Sequence, residues 1–352
     1  MGKKIIGTRK PNKRDTDRQN VQQLYDVQQT DITVSEALEM FIQAKEAEGV
    51  RSRTVEEYRR HIRYLLDYTG NPDFLLKELT PNIIRKYIMY LLKERKTYEE
   101  DENRKSKKEG LSPNTVNIRL RTLRTMCRFW YTEGITTTNA MATIKPVRTD
   151  QVEEVQGLSE EEISRILGSL DERQYAQWRD KTLIYLLLDS GLRINEAVTL
   201  TIDQVNTKFN EVTVTSEVAK NRKYRDVPIS REVTKRLLEL HQESKEYFGE
   251  SNLIFLNAYG EPFNSEAFRK RLNRLKKKIG METLHPHQFR HTFARDYLLN
   301  GGDLFTLQKI LDHSDIKTTR KYIQMNSDHI RQQHSKHSPL RKYTGTPYKK
   351  NN

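Results

Sequence analysis

His285-Pro286-His287-Gln288-Phe289-Arg290-His291 packs a helix start, three histidines and an arginine into seven residues. Proline suits the first helical position, where its missing N–H costs nothing and its φ is already helical. His287 and Arg290 are three apart, so both side chains leave one face of the first turn. The unpaired N–H groups of a helix start attract anions. An added arginine and imidazole make the segment a candidate phosphate or oxyanion site. Zinc is the rival reading of the histidines, but the segment lacks the carboxylate and cysteine partners that zinc usually recruits.

Two further polar segments belong to the same half of the chain. Upstream, Ser190-Gly191-Leu192-Arg193-Ile194-Asn195-Glu196 follows the apolar run Leu183–Leu188. Taken alone, Arg193 reads as a cap or an ion-pair partner of Glu196. Downstream, Leu311-Asp312-His313 is followed after a short polar stretch by Thr318, Thr319 and Tyr322. Composition alone singles out none of the 17 tyrosines.

Charge sets the class of partner. The 352 residues carry 62 Lys and Arg against 48 Asp and Glu, a net charge of +14. Such a chain attracts polyanions, and nucleic acid is the first to consider. RNA binding would rest on charge alone, with no recognisable module. The longest apolar run is far short of the roughly 20 residues of a membrane span, and the basic N-terminus has no apolar core, so neither a membrane partner nor a secretory signal is expected. Cys127 is the single cysteine, which excludes an intrachain disulfide and fits a reducing cytoplasm.

The chain reads as five segments. Residues 1–30 form a basic, flexible arm. Residues 31–148 form a helical domain. Its helices begin near Thr33 or Ser35, near Thr54, at Thr80-Pro81 and at Ser112-Pro113; the last ends by Gly134. A mostly charged stretch, 93–110, reads as a solvated connection. Arg119, Arg121, Arg124 and Arg128 are interleaved with the apolar stripe of the fourth helix and are candidate DNA-binding residues. A linker occupies 149–157. Residues 158–333 form a second domain, opened by a capping-box pattern at Ser159 and Glu162. It carries helices to about Leu200, short strands at Glu211–Thr215 and Arg225–Ile229 around the basic tip Lys220-Asn221-Arg222-Lys223, and then helices again. A basic tail covers 334–352.

Together these segments resemble the tyrosine recombinase (phage integrase) family, over roughly residues 31–330. That family carries two arginines, a lysine on a β-hairpin, a His-x-x-Arg motif, a second His or Trp, and a nucleophilic Tyr. Gly191–Leu200 is similar to the first arginine motif, with Arg193 as catalytic arginine and Glu196 as its supporting acid. Ala219–Ile229 resembles the lysine turn and assigns the lysine to Lys220, with Lys223 as competitor. His287 and Arg290 match His-x-x-Arg, His313 the second histidine and Tyr322 the nucleophile. Two departures stand out: Asp312 where the family usually has Gly, and Ala219-Lys220-Asn221 for Gly-Lys-Gly. Aspartate tolerates a left-handed backbone better than most residues.

The resemblance implies a mainly α fold with a small antiparallel β-sheet: a helical core-binding domain followed by a mixed α/β catalytic domain. It implies site-specific recombination of double-stranded DNA through a 3′-phosphotyrosyl intermediate, with no cofactor or metal. Arg193 and Arg290 would bind the phosphate and His313 would donate to it. His287 would take the phenol proton, and Lys220 would protonate the leaving oxygen. The implied assembly is a homotetramer on two duplexes, with an accessory directionality factor as a possible partner. The basic arm and the charged 93–109 insertion point to a mobile element. A type IB topoisomerase and a non-catalytic DNA-binding accessory factor are the competing readings.

Overall fold

The computed structural model describes residues 31–96, 108–149, 157–219, 221–320, 322 and a few positions between 334 and 343. The arm 1–30, Lys220 and most of the tail lie outside the described residues. The chain divides into two compact units between residues 152 and 153.

The first unit is helical: α1 (Val34–Ala47), α2 (Ser52–Thr69), α3 (Pro81–Lys93) and α4 (Pro113–Thr132). Local chemistry sets three of the four starts; α2, which follows Arg51, has no side-chain cap. Thr33 caps α1 in a reciprocal box with Glu36, so Thr33 and not Ser35 is the cap. Thr80 and Ser112 cap α3 and α4, each followed by proline. The core runs through Phe41, Ile62, Ile84, Leu120 and Trp130. A fully buried apolar side chain contributes roughly 1.5–3 kcal/mol. Trp130 also donates its Nε1–H to the carbonyl of Ala37 at 2.8 Å, so α4 is pinned to α1 by packing and by one buried hydrogen bond.

The second unit comprises α5 (Glu160–Gly168), α6 (Tyr175–Ser190), α7 (Ile194–Val198), β1 (Val205–Asn206), β2 (Glu211–Val214), β3 (Arg225–Pro228), α8 (Arg231–Phe248), α9 (Ser265–Lys278), α10 (Pro286–Leu299), α11 (Leu304–Leu311) and α12 (Ile316–Arg320). Ser159 and Glu162 form the capping box read from the sequence. Helix α6 is the hub. Leu183, Ile184, Leu186 and Leu187 are fully buried, and the helix packs against α8 and α10. Burial on nearly all sides explains why its sequence has a continuous apolar run and not a stripe.

The three strands form one antiparallel sheet in the order β1-β2-β3, with Val212 opposite Val227. Strand β1, two residues long, was not legible in the sequence. A small satellite core joins Ala294, Leu307 and Leu311, with Phe293, Tyr297 and Tyr322 packed against it. Among the described residues no helix is long and apolar enough to cross a membrane.

Candidate active site

Gly191 shapes the first wall of the site. It ends α6 at φ 62°, and a Cβ there would stand 2.3 Å from the Phe293 ring. The position therefore needs glycine for backbone and for space. The turn sends Arg193 to the N-cap of α7, and Glu196 closes back on it. Arg193 donates to Glu196 from its backbone N–H and from Nη1, both at 3.0 Å. The plain capping reading of this pair is thus real, but it leaves Nη2 to reach the Asp312 carbonyl at 3.2 Å.

Helix α10 supplies Arg290, His287 and His291. Arg290 is 4% exposed. Its Nη1 donates to the Gly191 carbonyl at 2.7 Å, and its Nη2 to the Leu311 carbonyl at 2.6 Å. Burial, and then the neighbouring Arg193, push its pKa down to about 10, so it stays cationic at neutral pH. These carbonyls fix the fork of the guanidinium without neutralising it, which preserves its charge for an anion.

The turn between α11 and α12 brings in His313. Its Nε2 stands 3.0 Å from Arg290 Nη2, and its Nδ1 2.9 Å from the Thr319 hydroxyl. Arginine has no acceptor atom, so Nε2 accepts and the one ring proton sits on Nδ1. Burial, then Arg290 and Arg193, hold His313 down to about 4. It is neutral, and in this state it cannot donate from Nε2.

Asp312 adopts the left-handed conformation, φ 51° and ψ 51°, at the end of α11. That is the geometry in which aspartate replaces glycine at small cost. Its carbonyl accepts from Arg193 and, at 2.9 Å, from Asn221 Nδ2. Its Oδ2 is buried without a hydrogen bond, 3.6 Å from Arg193 Nη1 and 4.0 Å from Arg225 Nη1.

The Tyr322 hydroxyl lies 2.7 Å from Nδ1 of His291. The His313 ring is nearly parallel to the phenol, at 12°. Partial burial pushes the phenol above its usual pKa, and Arg290 pulls it back. His287 is exposed and meets His285 and His291 through ring contacts. It sits one turn before the position level with Tyr322.

Arg193, Glu196, Arg290, His313 and Tyr322 therefore form one connected cluster; Lys220 lies outside the described residues. Two members were missed in the sequence. Arg225 donates to Glu196 Oε2 at 2.7 Å. The alternation of β3 gives the signal, because Arg225 shares a face with the buried Val227. His291 is four residues after His287 and so lies on the same face of α10.

The four arginines of α4 do not act alike. Arg121 and Arg128 are exposed on one face. Arg124 donates to the Ile144 carbonyl at 2.9 Å. Arg119 is turned away, its guanidinium 4.1 Å from the centre of the Tyr64 ring.

Comparison with known proteins matches both units of the chain. Residues 156–329 match the phage integrase family, and residues 33–146 match the phage integrase SAM-like domain. Tyrosine recombinase XerC of Staphylococcus carnosus is 28% identical over 224 residues, 63% of this chain and 75% of the relative. Tyrosine recombinase XerC of Leptospira interrogans is 27% identical over 297 residues, covering 81% and 87%. The Tn1549 transposon integrase, solved with a circular intermediate DNA, shares the fold at TM-score 0.67 and 19% identity, covering 86% of this chain and 99% of that one. Matched over both of its units, the chain belongs to the tyrosine recombinase (phage integrase) family.

Proposed function

We propose that the chain recombines duplex DNA at specific sites, for a mobile element, by moving a phosphodiester onto Tyr322 and back. The observation that carries this reading is the convergence of Arg193, Arg290 and His313 beside the Tyr322 phenol. A phosphodiester is an anion, and an oxygen nucleophile adds charge to it. Two guanidiniums already aimed by carbonyls and by Glu196 stabilise that charge without reorganising, the largest single effect in such chemistry. The Tyr322 oxygen bonds to phosphorus, the bond to the 5′ oxygen breaks, and that oxygen takes a proton from an ammonium donor, the role given to Lys220. The 3′-phosphotyrosyl ester conserves the bond energy, so a 5′-hydroxyl from another strand reverses the step without ATP.

The assembly that exchanges strands is a homotetramer on two duplexes, with an accessory factor setting direction. The arm 1–30 and the exposed Arg121 and Arg128 add phosphate contacts, so affinity falls steeply with salt. A nicked suicide duplex tests the reading. The parent chain traps a covalent adduct, whereas Tyr322→Phe binds and traps none; an adduct with the Phe variant sinks the assignment. Exchange between two sites, and not relaxation alone, separates recombination from topoisomerase activity.

A further inference from the structure

We infer that His291 is the base of this site: its Nδ1 holds the Tyr322 hydroxyl and takes its proton as the phosphotyrosyl bond forms. The inference rests on Tyr322 being the nucleophile. The contact is direct, 2.7 Å between Nδ1 and the hydroxyl, within the range a general base requires. It is made from the body of α10, one residue after Arg290, so one helix aligns both the phosphate-binding group and the nucleophile.

Among the described residues, neither His313 nor His287 can take this part from where it stands. His313 presents a ring face to the phenol, at 12°, and its two nitrogens are engaged by Arg290 and Thr319. His287 contacts the His291 ring, with centroids 6.3 Å apart, and no bond joins it to Tyr322 among the described contacts. The need for a base is physical. Burial raises the phenol pKa against the pull of Arg290, so the proton does not leave unaided at neutral pH.

The step balances. The phenol proton passes to Nδ1, the tyrosyl oxygen bonds to phosphorus, and the 5′ oxygen departs with a proton from the ammonium donor. On rejoining, the incoming 5′-hydroxyl gives its proton back to the neutral amine as it bonds to phosphorus, and the imidazolium returns its proton to the departing phenolate. Among the described contacts, His287 and Arg290 on α10 and His313 beside the phenol face the pair, and Arg193 acts on His313.

Two measurements on the full chain decide. Ring ¹⁵N NMR without DNA is expected to show His291 protonated on Nε2 and bare on Nδ1; a proton on Nδ1 overturns the inference. Single-turnover adduct formation is then followed against pH on a nicked duplex bearing the core site mapped by footprinting. His291→Ala is expected to slow it about 10²-fold or more, to lose the acid limb of the profile, and to regain rate with added imidazole, while DNA affinity holds. His291→Gln, which keeps a hydrogen bond but takes no proton, stays slow. A 5′-bridging phosphorothiolate, whose leaving group needs no proton, does not rescue either variant.

A His291→Ala rate within about threefold of the parent overturns the inference, as does full activity in His291→Gln or rescue by the phosphorothiolate. His287→Ala retains the acid limb if His291 is the base and loses it if His287 is. An adduct formed by Tyr322→Phe, in contrast, defeats the nucleophile assignment itself and leaves a different signature from any of these.

Discussion

Arg225 donates from Nη2 to Oε2 of Glu196 at 2.7 Å, a shorter contact than the 3.0 Å one from Arg193 to Oε1. The carboxylate of Glu196 is thus shared between a strand arginine and the arginine of the α7 cap. Burial alone would raise this carboxyl, but the bonds from Arg225 and then Arg193 outweigh it and hold the pKa below the usual value. Removing the acid leaves two guanidiniums facing each other in a desolvated place. Glu196→Ala is expected to destabilise the fold by about 3–5 kcal/mol, the scale of a broken buried ion pair, measured by urea unfolding. Because the folded pKa is depressed, the stabilisation is complete above the ordinary carboxylate pKa and is lost as pH falls through the folded one. A variant that unfolds like the parent would show the pair to be dispensable.

Asp312 sets a second test. Its backbone is left-handed, and its carboxylate stands 3.6 Å from Arg193 without a hydrogen bond. Asp312→Gly keeps the backbone geometry and deletes a negative charge beside Arg193, the arginine proposed to bind the phosphate. Affinity for the core duplex should rise, with little change in melting temperature. Asp312→Ala deletes the same charge but keeps a Cβ in this conformation, so it should be less stable than the Gly variant by about 1–2 kcal/mol. Weaker DNA binding by the Gly variant would contradict the geometry.

His313 makes the site sensitive to acid. Its pKa is held down to about 4 from the usual 6.5. The unfolded chain therefore takes up the proton first as pH drops. The linked stability is full above the unfolded pKa and declines from there toward the folded one. A bound phosphate supplies the opposite charge and should move the ring upward, which frees it to donate. Titration of the His313 ring protons by NMR, with and without inorganic phosphate, checks both directions; an unmoved ring would separate His313 from the anion site.

Gly191→Ala tests the turn that joins the two arginines. The new Cβ meets the Phe293 ring at 2.3 Å and Leu311 at 2.8 Å, and the carbonyl at this position is the partner of Arg290 Nη1. Overpacking of this kind costs about 1–3 kcal/mol, and the left-handed φ adds to it. Cleavage should fall more than stability, because the Arg290 fork shifts. Parent-like melting and cleavage together would refute this.

The outline was legible where the governing chemistry is local. Thr33 with Glu36, Thr80-Pro81, Ser112-Pro113 and Ser159 with Glu162 each complete a cap within four residues, and the apolar spacing between them states which faces turn inward. At Asp312 the reading was conditional: aspartate would tolerate a left-handed backbone if the family's glycine adopts one, and the residue is left-handed. The two-residue strand β1 was not, because it exists only through its pairing with β2.

Within the cluster the division is the same. Arg193, Glu196, Arg290, His313 and Tyr322 are named by short motifs in the amino-acid sequence alone. Their working states are not. That Arg225 shares Glu196, that Arg290 holds His313 neutral with its proton on the Thr319 side, that Arg119 lies on Tyr64 and not with Arg121, and that His291 rather than His287 meets the Tyr322 hydroxyl follow from contacts between residues 23 to 55 apart. Motif spacing specifies which groups exist on each element. Desolvation and hydrogen-bond partners, which set charge and proton position, arise only when the tertiary fold closes those elements on one another.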